Sequence, residues 1–312
     1  MNKCKYSIVI PVYKSSSSLI EITERINRVF TRDARFSHEI IFVNDSPLHK
    51  KTVETLDKLA SENDSVVVVE LMKNYGQQPA TLCGIEQATG DYIVTMDDDL
   101  QHQPEDILKL MEKSNHDVVI AKFLEKKHSL FKKFVSHIKG YFDQIILGKP
   151  KSIKLSAFRL INSETAKLMF KRRSPYPFIP ALLFDITDDL VNVEVDHYPR
   201  HDGEGNYTLL KMIRLFGNLI INNSSFLLRM MGYVGVTVAF LTSFMAVVLL
   251  IKKIFLDYVL TGWTSIVLLV LFFGGLTLLT LGVIGEYLVR IIATTEERPS
   301  YYIRKIKQRN GH

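Results

Sequence analysis

Two long stretches without a charged residue constrain this 312-residue chain more than any other feature. Neither Gly232–Ile251 nor Tyr258–Gly285 contains an Asp, Glu, Lys or Arg. A helix crosses a bilayer with about 20 apolar residues, and both windows are long enough. A pair of helices buried in a soluble core is the alternative. Lys252, Lys253 and Asp257 separate the runs, Lys211, Arg214 and Arg229 precede them, and Arg298, Arg304, Lys305, Lys307 and Arg309 follow. The heavier basic load on the outer flanks predicts that both termini lie in the cytoplasm, although the Lys252–Lys253 pair pulls the other way. The apolar run Tyr6–Val12 is short, broken by Pro11 and followed by no small-residue cleavage site, so it does not read as a secretory signal. Cys4 and Cys83, the only cysteines, fit a reducing compartment and read as buried apolar fillers. A net charge of +6 suits nucleic acid, anionic lipid or a phosphate-bearing substrate, and composition does not choose among them.

Ahead of the uncharged runs, strands and helices alternate. Tyr6–Val12, Glu39–Asp45, Val66–Glu70, Asp91–Asp97 and Asp117–Ala121 read as strands. Helical spacing covers Ser16–Phe30 (Leu19, Ile22, Ile26 and Val29 on one face), Leu48–Ala60, Pro79–Ala88 with proline at its first position, and Pro104–Ser114. Continuous apolar strands between helices predict an α/β fold whose mostly parallel sheet is covered on both faces. Leu190–His197 alternates like an edge strand, and Lys122–Gly148 is basic and amphipathic. The expected organisation is a catalytic domain over residues 1–205, amphipathic interfacial helices over 206–231, two transmembrane helices over 232–292 and a basic cytoplasmic tail over 293–312.

Ligands of such sheets bind beyond the carboxyl ends of the strands, which singles out Asn44-Asp45 and Asp97-Asp98-Asp99. Three adjacent carboxylates repel one another in an empty site, and a divalent cation removes the penalty. Hard oxygen ligands suit Mg²⁺ or Mn²⁺, which in turn bind diphosphate oxygens. In extended backbone Asp97 and Asp99 face the same way. A solvated acidic turn is the plainer reading of the triplet alone.

The surrounding residues form a larger pattern. Lys73-Asn74-Tyr75-Gly76-Gln77, Ala80, Gly84, Ala88, Gly90-Asp91, Met96-Asp97-Asp98-Asp99-Leu100-Gln101-His102 and Pro104-Glu105 resemble the signature of family 2 glycosyltransferases. So do Ser7-Ile8-Val9-Ile10-Pro11-Val12-Tyr13, Phe42-Val43-Asn44-Asp45-Ser46, Phe178-Ile179-Pro180, Asp196-His197-Tyr198-Pro199-Arg200, Gly203-Glu204 and Tyr207. Gly285-Glu286-Tyr287 and Glu297-Arg298-Pro299 with Tyr301 resemble the second span and tail of the branch that glycosylates polyprenyl phosphates.

This resemblance implies a GT-A, Rossmann-like catalytic domain and a metal-dependent, inverting transfer. The donor it implies is a nucleotide-sugar, UDP-linked by the commonest pattern, and the acceptor is undecaprenyl phosphate at the inner membrane, in cell-envelope or lipopolysaccharide synthesis. By the same resemblance Pro11, Tyr13, Asp45, Asp97 and Asp98 bind the donor, while Asp99, with Asp97, holds Mg²⁺ or Mn²⁺. Gln101 lies by the sugar or acceptor phosphate, and Arg200 faces a phosphate. Lys126, Lys127, Ser136 and His197 are candidates for the acceptor phosphate, although a solvated basic face and a structural histidine remain alternatives. Implied partners are the lipid bilayer, further copies of the chain in a homotetramer, and a flippase; no nucleic acid is implied. Three departures stand out: Asn44 replaces the first of two acids, Asp98 takes a place that is often alanine, and Lys122, Lys126 and Lys127 stand where arginines are usual. The only tryptophan, Trp263, lies in an uncharged run, so the Gln-x-x-Arg-Trp motif of processive synthases is absent; transfer to a glycan hydroxyl and an inactive scaffold that binds nucleotide-sugar are the alternative readings.

Overall fold

The computed structural model describes residues 3–123, 150, 152–171, 177–196, 231–235, 237–238, 240–241, 244, 248, 251, 262–295 and 299–308. Two compact units are present, one of residues 1–206 with 297–312 and one of residues 207–296.

The first unit is built on an eight-stranded sheet. In chain order its elements are β1 (Cys4–Val12), α1 (Ser17–Thr31), β2 (Phe36–Asn44), α2 (Lys50–Glu62), β3 (Val66–Leu71), α3 (Gln77–Gln87) and β4 (Tyr92–Thr95). A 3₁₀ turn (Pro104–Asp106) then leads into α4 (Ile107–Met111) and β5 (Val118–Phe123). After these come β6 (Arg159–Asn162), α5 (Ser163–Leu168), α6 (Ile179–Ile186), β7 (Leu190–Val195) and, beyond residue 297, β8 (Ile303–Gln308). The strand order is β7-β5-β6-β4-β1-β2-β3-β8. The central β4-β1-β2-β3 pairings are parallel. β6 runs antiparallel to both β4 and β5, and β8 antiparallel to β3.

Alternation along the strands divides the core into two layers. Ile8, Ile10, Ile40 and Phe42 point to the layer packed by Leu19, Ile22 and Ile26 of α1 and Leu56 of α2. Val9, Ile41, Val43 and Val69 point to the layer packed by Ala80, Cys83 and Ile85 of α3. Burial on both faces explains why the strands read as unbroken apolar runs. Cys83 lies in this core, where burial pushes its thiol up to about 12.

α3 lies close on the sheet because residue 84 lacks a side chain. A Cβ at Gly84 would come within 2.3 Å of Val9 Cγ1 and 3.0 Å of Val43 Cγ2. Gly84→Ala is therefore expected to destabilise the domain by about 1–3 kcal/mol through overpacking, read as a lower urea midpoint with an unchanged slope. Pro79, expected at the first position of its helix, is the third residue of α3, where its missing N–H still costs nothing because helix-start donors have no partner inside the helix.

His38 on β2 is stacked on Phe30 at 4.7 Å, and its Nε2 meets Asn27 Oδ1 at 2.7 Å. Burial pushes its pKa down to about 4. The unfolded imidazole titrates near 6.5, so between these values the unfolded chain binds more protons and stability falls as the pH drops. The loss should reach up to about 3 kcal/mol near pH 4. A thermal melt at each pH should show a shallower acid decline in His38→Gln than in the parent.

β8 was not foreseen. Residues 293–312 read as a basic cytoplasmic tail, yet 303–308 complete the sheet. Ile303 and Ile306 do not alternate, so no hydrophobic period announces the strand. Ion pairs secure it: Arg304 and Lys305 lie 3.6 Å and 3.3 Å from the buried carboxylate of Glu70, and Lys307 pairs with Asp57.

The second unit is described chiefly by α7 (Trp263–Thr295). Its window Phe272–Val289 is strongly apolar, and none of its described residues is buried, unlike a soluble core helix. Among the described residues this is the one helix long and apolar enough to cross a membrane. The first uncharged run, residues 232–251, is only partly described, and residues 206–230 and 124–149 lie outside the described residues.

Candidate active site

The carboxyl ends of β4, β1 and β2 meet at the point where the chain's connections diverge to either side of β1, the place where open α/β sheets bind ligands. A cavity of about 440 Å³ opens there, lined by Pro11, Val12, Tyr13, Asp45, Asn74, Gly76, Gln77, Asp97, Asp98 and Asp99. The structure thus brings together Pro11, Tyr13, Asp45, Asp97, Asp98 and Asp99, residues far apart in the chain. Gln101 is next to the site, its N–H donating to Asp99 Oδ1 at 3.1 Å, but it does not line the cavity. Lys126, Lys127, Ser136, His197 and Arg200 lie outside the described residues.

Each wall has a local cause. Asp45 continues β2 by donating its N–H to Val12 O at 2.9 Å. Its buried carboxylate accepts the N–H groups of Tyr75 at 2.7 Å and Gly76 at 2.8 Å. Burial raises its pKa and these two donors oppose the rise. Asp45 therefore shapes the 72–77 loop as well as lining the cavity. Gly76 caps α3 with φ +95°, a left-handed conformation that disfavours a side chain. Asn44 accepts from the N–H and hydroxyl of Ser46 at 3.0 Å and 3.1 Å. At 1% exposure, a neutral amide closes that turn without the cost of burying a second charge.

The three acids have separate partners. Asp97 Oδ1 accepts Gln77 Nε2 at 2.6 Å, and the Asp97 N–H donates to His102 Nδ1 at 2.9 Å. That bond assigns the ring proton to Nε2, which lies 3.7 Å from Asp97 Oδ2. His102 is buried between Phe123 and Phe158, with ring centroids at 5.5 Å and 5.2 Å. Asp98 turns to the β1 loop, accepting Tyr13 N–H at 3.2 Å and the Ser15 hydroxyl. Burial, reinforced by Asp97 and Asp99, pushes Asp98 up to about 6. A carboxyl raised in the folded state loses stability as the pH rises from about 4 to 6, a slope opposite to that of His38. Arg25 of α1 clamps the loop after the triplet, its Nε donating to Glu105 Oε1 at 3.0 Å. Lys14 and Leu100, which follow two of the cavity walls, both have φ +61°. Left-handed backbone at non-glycine residues is uncommon and gathers at functional sites.

Among the described residues, no group of three or more His, Cys, Asp or Glu forms a metal cage. The oxygens of Asp97 and Asp99 nevertheless suit a hard divalent cation held by one or two carboxylates, with phosphates completing its shell. Sequence reasoning had assigned no role to Asn74, Gly76, Gln77 or His102. All four stand inside the quoted motifs, which was the only available signal.

The model of "Glycosyl transferase family 2" matches residues 7–172. An uncharacterized glycosyltransferase of Bacillus subtilis, YkcC, is 31% identical over 306 residues, covering 96% of this chain and 94% of that protein. The undecaprenyl-phosphate 4-deoxy-4-formamido-L-arabinose transferase of Aeromonas hydrophila is 30% identical over 304 residues, covering 96% and 93%. Among solved structures, glucosyl-3-phosphoglycerate synthase from Mycobacterium tuberculosis, in complex with Mn²⁺, UDP-glucose and phosphoglyceric acid, superimposes with a TM-score of 0.53. At 13% identity over 70% of this chain and 78% of that one, this similarity establishes a shared GT-A-like fold and nothing finer. With the family pattern matched across more than half its length and its relatives matched nearly end to end, the chain belongs to glycosyl transferase family 2.

Proposed function

We propose that the chain transfers a sugar, with inversion, from a nucleoside-diphosphate sugar (UDP-linked by resemblance) to undecaprenyl phosphate at the cytoplasmic face of a membrane. The supporting observation is the cavity that sets Asp97, Asp98 and Asp99 opposite Asp45 and the β1 loop. The acceptor follows from relatives named for undecaprenyl-phosphate transfer that align over nearly the whole chain.

The chemistry suits such an acceptor. A hydroxyl needs a general base to become a strong nucleophile. A phosphate monoester has a second pKa near 6 and is already anionic at neutrality. Its oxygen attacks the anomeric carbon in line as the bond to the diphosphate oxygen breaks, and the nucleoside diphosphate leaves as an anion. Pro11, Tyr13 and Asp45 form the wall assigned to the nucleoside, and Asp97 and Asp99 are the residues that would hold the cation. When bound, that cation supplies positive charge to the diphosphate. Arg200, His197, Lys126, Lys127 and Ser136 complete the proposal as the acceptor-phosphate group.

Chain topology supports the two-helix membrane hairpin. β8 pairs with β3, so residues 207–296 leave and re-enter the same domain. Each crossing within that stretch must be matched by a return. α7 is about 50 Å long at 1.5 Å per residue, ample for one span. A polyprenyl phosphate stays in the bilayer, and a domain tethered at two points meets its head at the interface.

The test incubates detergent-purified full-length protein with undecaprenyl phosphate, Mg²⁺ or Mn²⁺, and a panel of labelled nucleotide-sugars, then counts label extracted into organic solvent. One donor should label the lipid, and EDTA should abolish the signal until the cation is restored. Binding or slow hydrolysis of a donor with no labelled lipid would overturn the acceptor assignment and leave the donor site standing.

A further inference from the structure

Arg159 opens β6, where the sheet register sets it opposite Thr95, the last residue of β4. Residues paired across two strands share a face, and Asp97 follows Thr95 by the two-residue repeat that returns an extended chain to that face. Arg159 is 4% exposed, and its Nε has no hydrogen-bond partner among the described residues. It is also absent from the residues lining the cavity. Its neighbour Phe158 stacks on His102, the ring that receives the Asp97 N–H. A guanidinium withdrawn from water is costly unless an opposite charge offsets it. Burial pushes Arg159 down to about 10, and the charge opposing that fall is Asp97.

We propose that Arg159 is a positioning residue for the transfer reaction, a buried cation that anchors the Asp97 carboxylate from behind while Gln77 holds it from the side. The inference rests on the donor-site reading of the cavity. Asp97 faces two more acids in the next two residues, and a fixed positive charge behind it stabilises an arrangement that repulsion would open. A carboxylate held in this way meets the donor already oriented, and positioning of this kind is a principal source of rate. Asp98 and Asp99 have the Tyr13 N–H and the Gln101 N–H to hold them.

The experiment is a double-mutant cycle on the full-length protein, using Asp97→Asn, Arg159→Met and the pair, with Arg159→Lys beside them. Thermal midpoints are read without metal or donor. Kinetics are read with the donor that labels undecaprenyl phosphate. Removing one of three adjacent acids would ordinarily raise the midpoint by relieving repulsion. With Arg159 left unpaired, Asp97→Asn should lower it, and Arg159→Met on that background should restore it. Arg159→Met alone should lower kcat about 10–100-fold, the usual cost of losing a group that orients a ligand-binding side chain. Adding Arg159→Met to Asp97→Asn should then cost little more than Asp97→Asn alone, and Arg159→Lys should regain part of the rate. A higher midpoint in Asp97→Asn, additive losses in the pair, or an unchanged kcat in Arg159→Met would overturn the proposal. If Arg159→Met does not fold, the sign of the Asp97→Asn shift decides. If no donor supports transfer by the parent, the functional reading fails, while the midpoint cycle still decides whether Arg159 and Asp97 are coupled.

Discussion

Asp99→Asn is expected to lower transfer by about 10²–10³-fold, the scale on which one preorganised electrostatic partner matters in a transition state. The substitution keeps the side chain's size and its carbonyl oxygen, so the bond from the Gln101 N–H to Oδ1, 3.1 Å in the parent, can persist. What it removes is the charge that would face a cation and, through it, the departing diphosphate. The fold should not suffer, because one of three neighbouring like charges is gone; the thermal midpoint should hold or rise. The measurement is label transferred to undecaprenyl phosphate, taken beside a melt of the same sample. Full activity in this variant would remove Asp99 from the metal site. A collapsed midpoint would show that the acid is structural. The contrast with Asp97→Asn is diagnostic: both should lose activity, and Asp97→Asn, whose charge offsets the burial of Arg159, should lose stability as well.

These differences also mark what could be read from sequence. The central strands were legible because burial on both faces forces continuous apolar runs, as in Val66–Leu71. The α1 face was legible because Leu19, Ile22, Ile26 and Val29 recur at helical spacing, and all four are buried. Asp45 and Asp97–Asp99 were legible because ligands gather where parallel strands end. Features that depend on pairing distant segments were not. Nothing near Arg159 indicates that it will sit opposite Thr95, since the partner lies 64 residues earlier and the two strands meet only through antiparallel pairing in the folded sheet. His102 carries no local sign that its ring will accept the Asp97 N–H. β8 follows a long apolar helix and is rich in lysine, and local sequence favours a solvated tail. Only the position of Glu70 and Asp57 across the fold makes those charges structural.

Deleting residues 299–312 tests that last point with the second large effect. Glu70 is 5% exposed, and its described cationic partners are Arg304 and Lys305. Without them a buried carboxylate is left uncompensated, a loss of about 3–5 kcal/mol and a thermal midpoint lower by roughly 6–20 °C. The edge of β3 would also open, and the 72–77 loop would lose its outer anchor. At present the Met72 N–H donates to Tyr302 O at 2.9 Å, Arg304 donates to Met72 O at 3.2 Å, and Tyr302 lies against Tyr75 at 6.5 Å between ring centroids. Tyr75 and Gly76 are the same residues whose N–H groups hold Asp45 in the donor wall. The truncated protein should therefore show a higher KM for the nucleotide-sugar as well as a lower midpoint. Glu70→Gln in the truncated chain separates the two effects: neutralising the stranded carboxylate should recover much of the midpoint, while the KM stays high because the loop still lacks its anchor. A truncated protein with the parental midpoint would mean that β8 is a passive edge strand. Recovery of both quantities by Glu70→Gln would mean that the tail acts on the donor wall through stability alone.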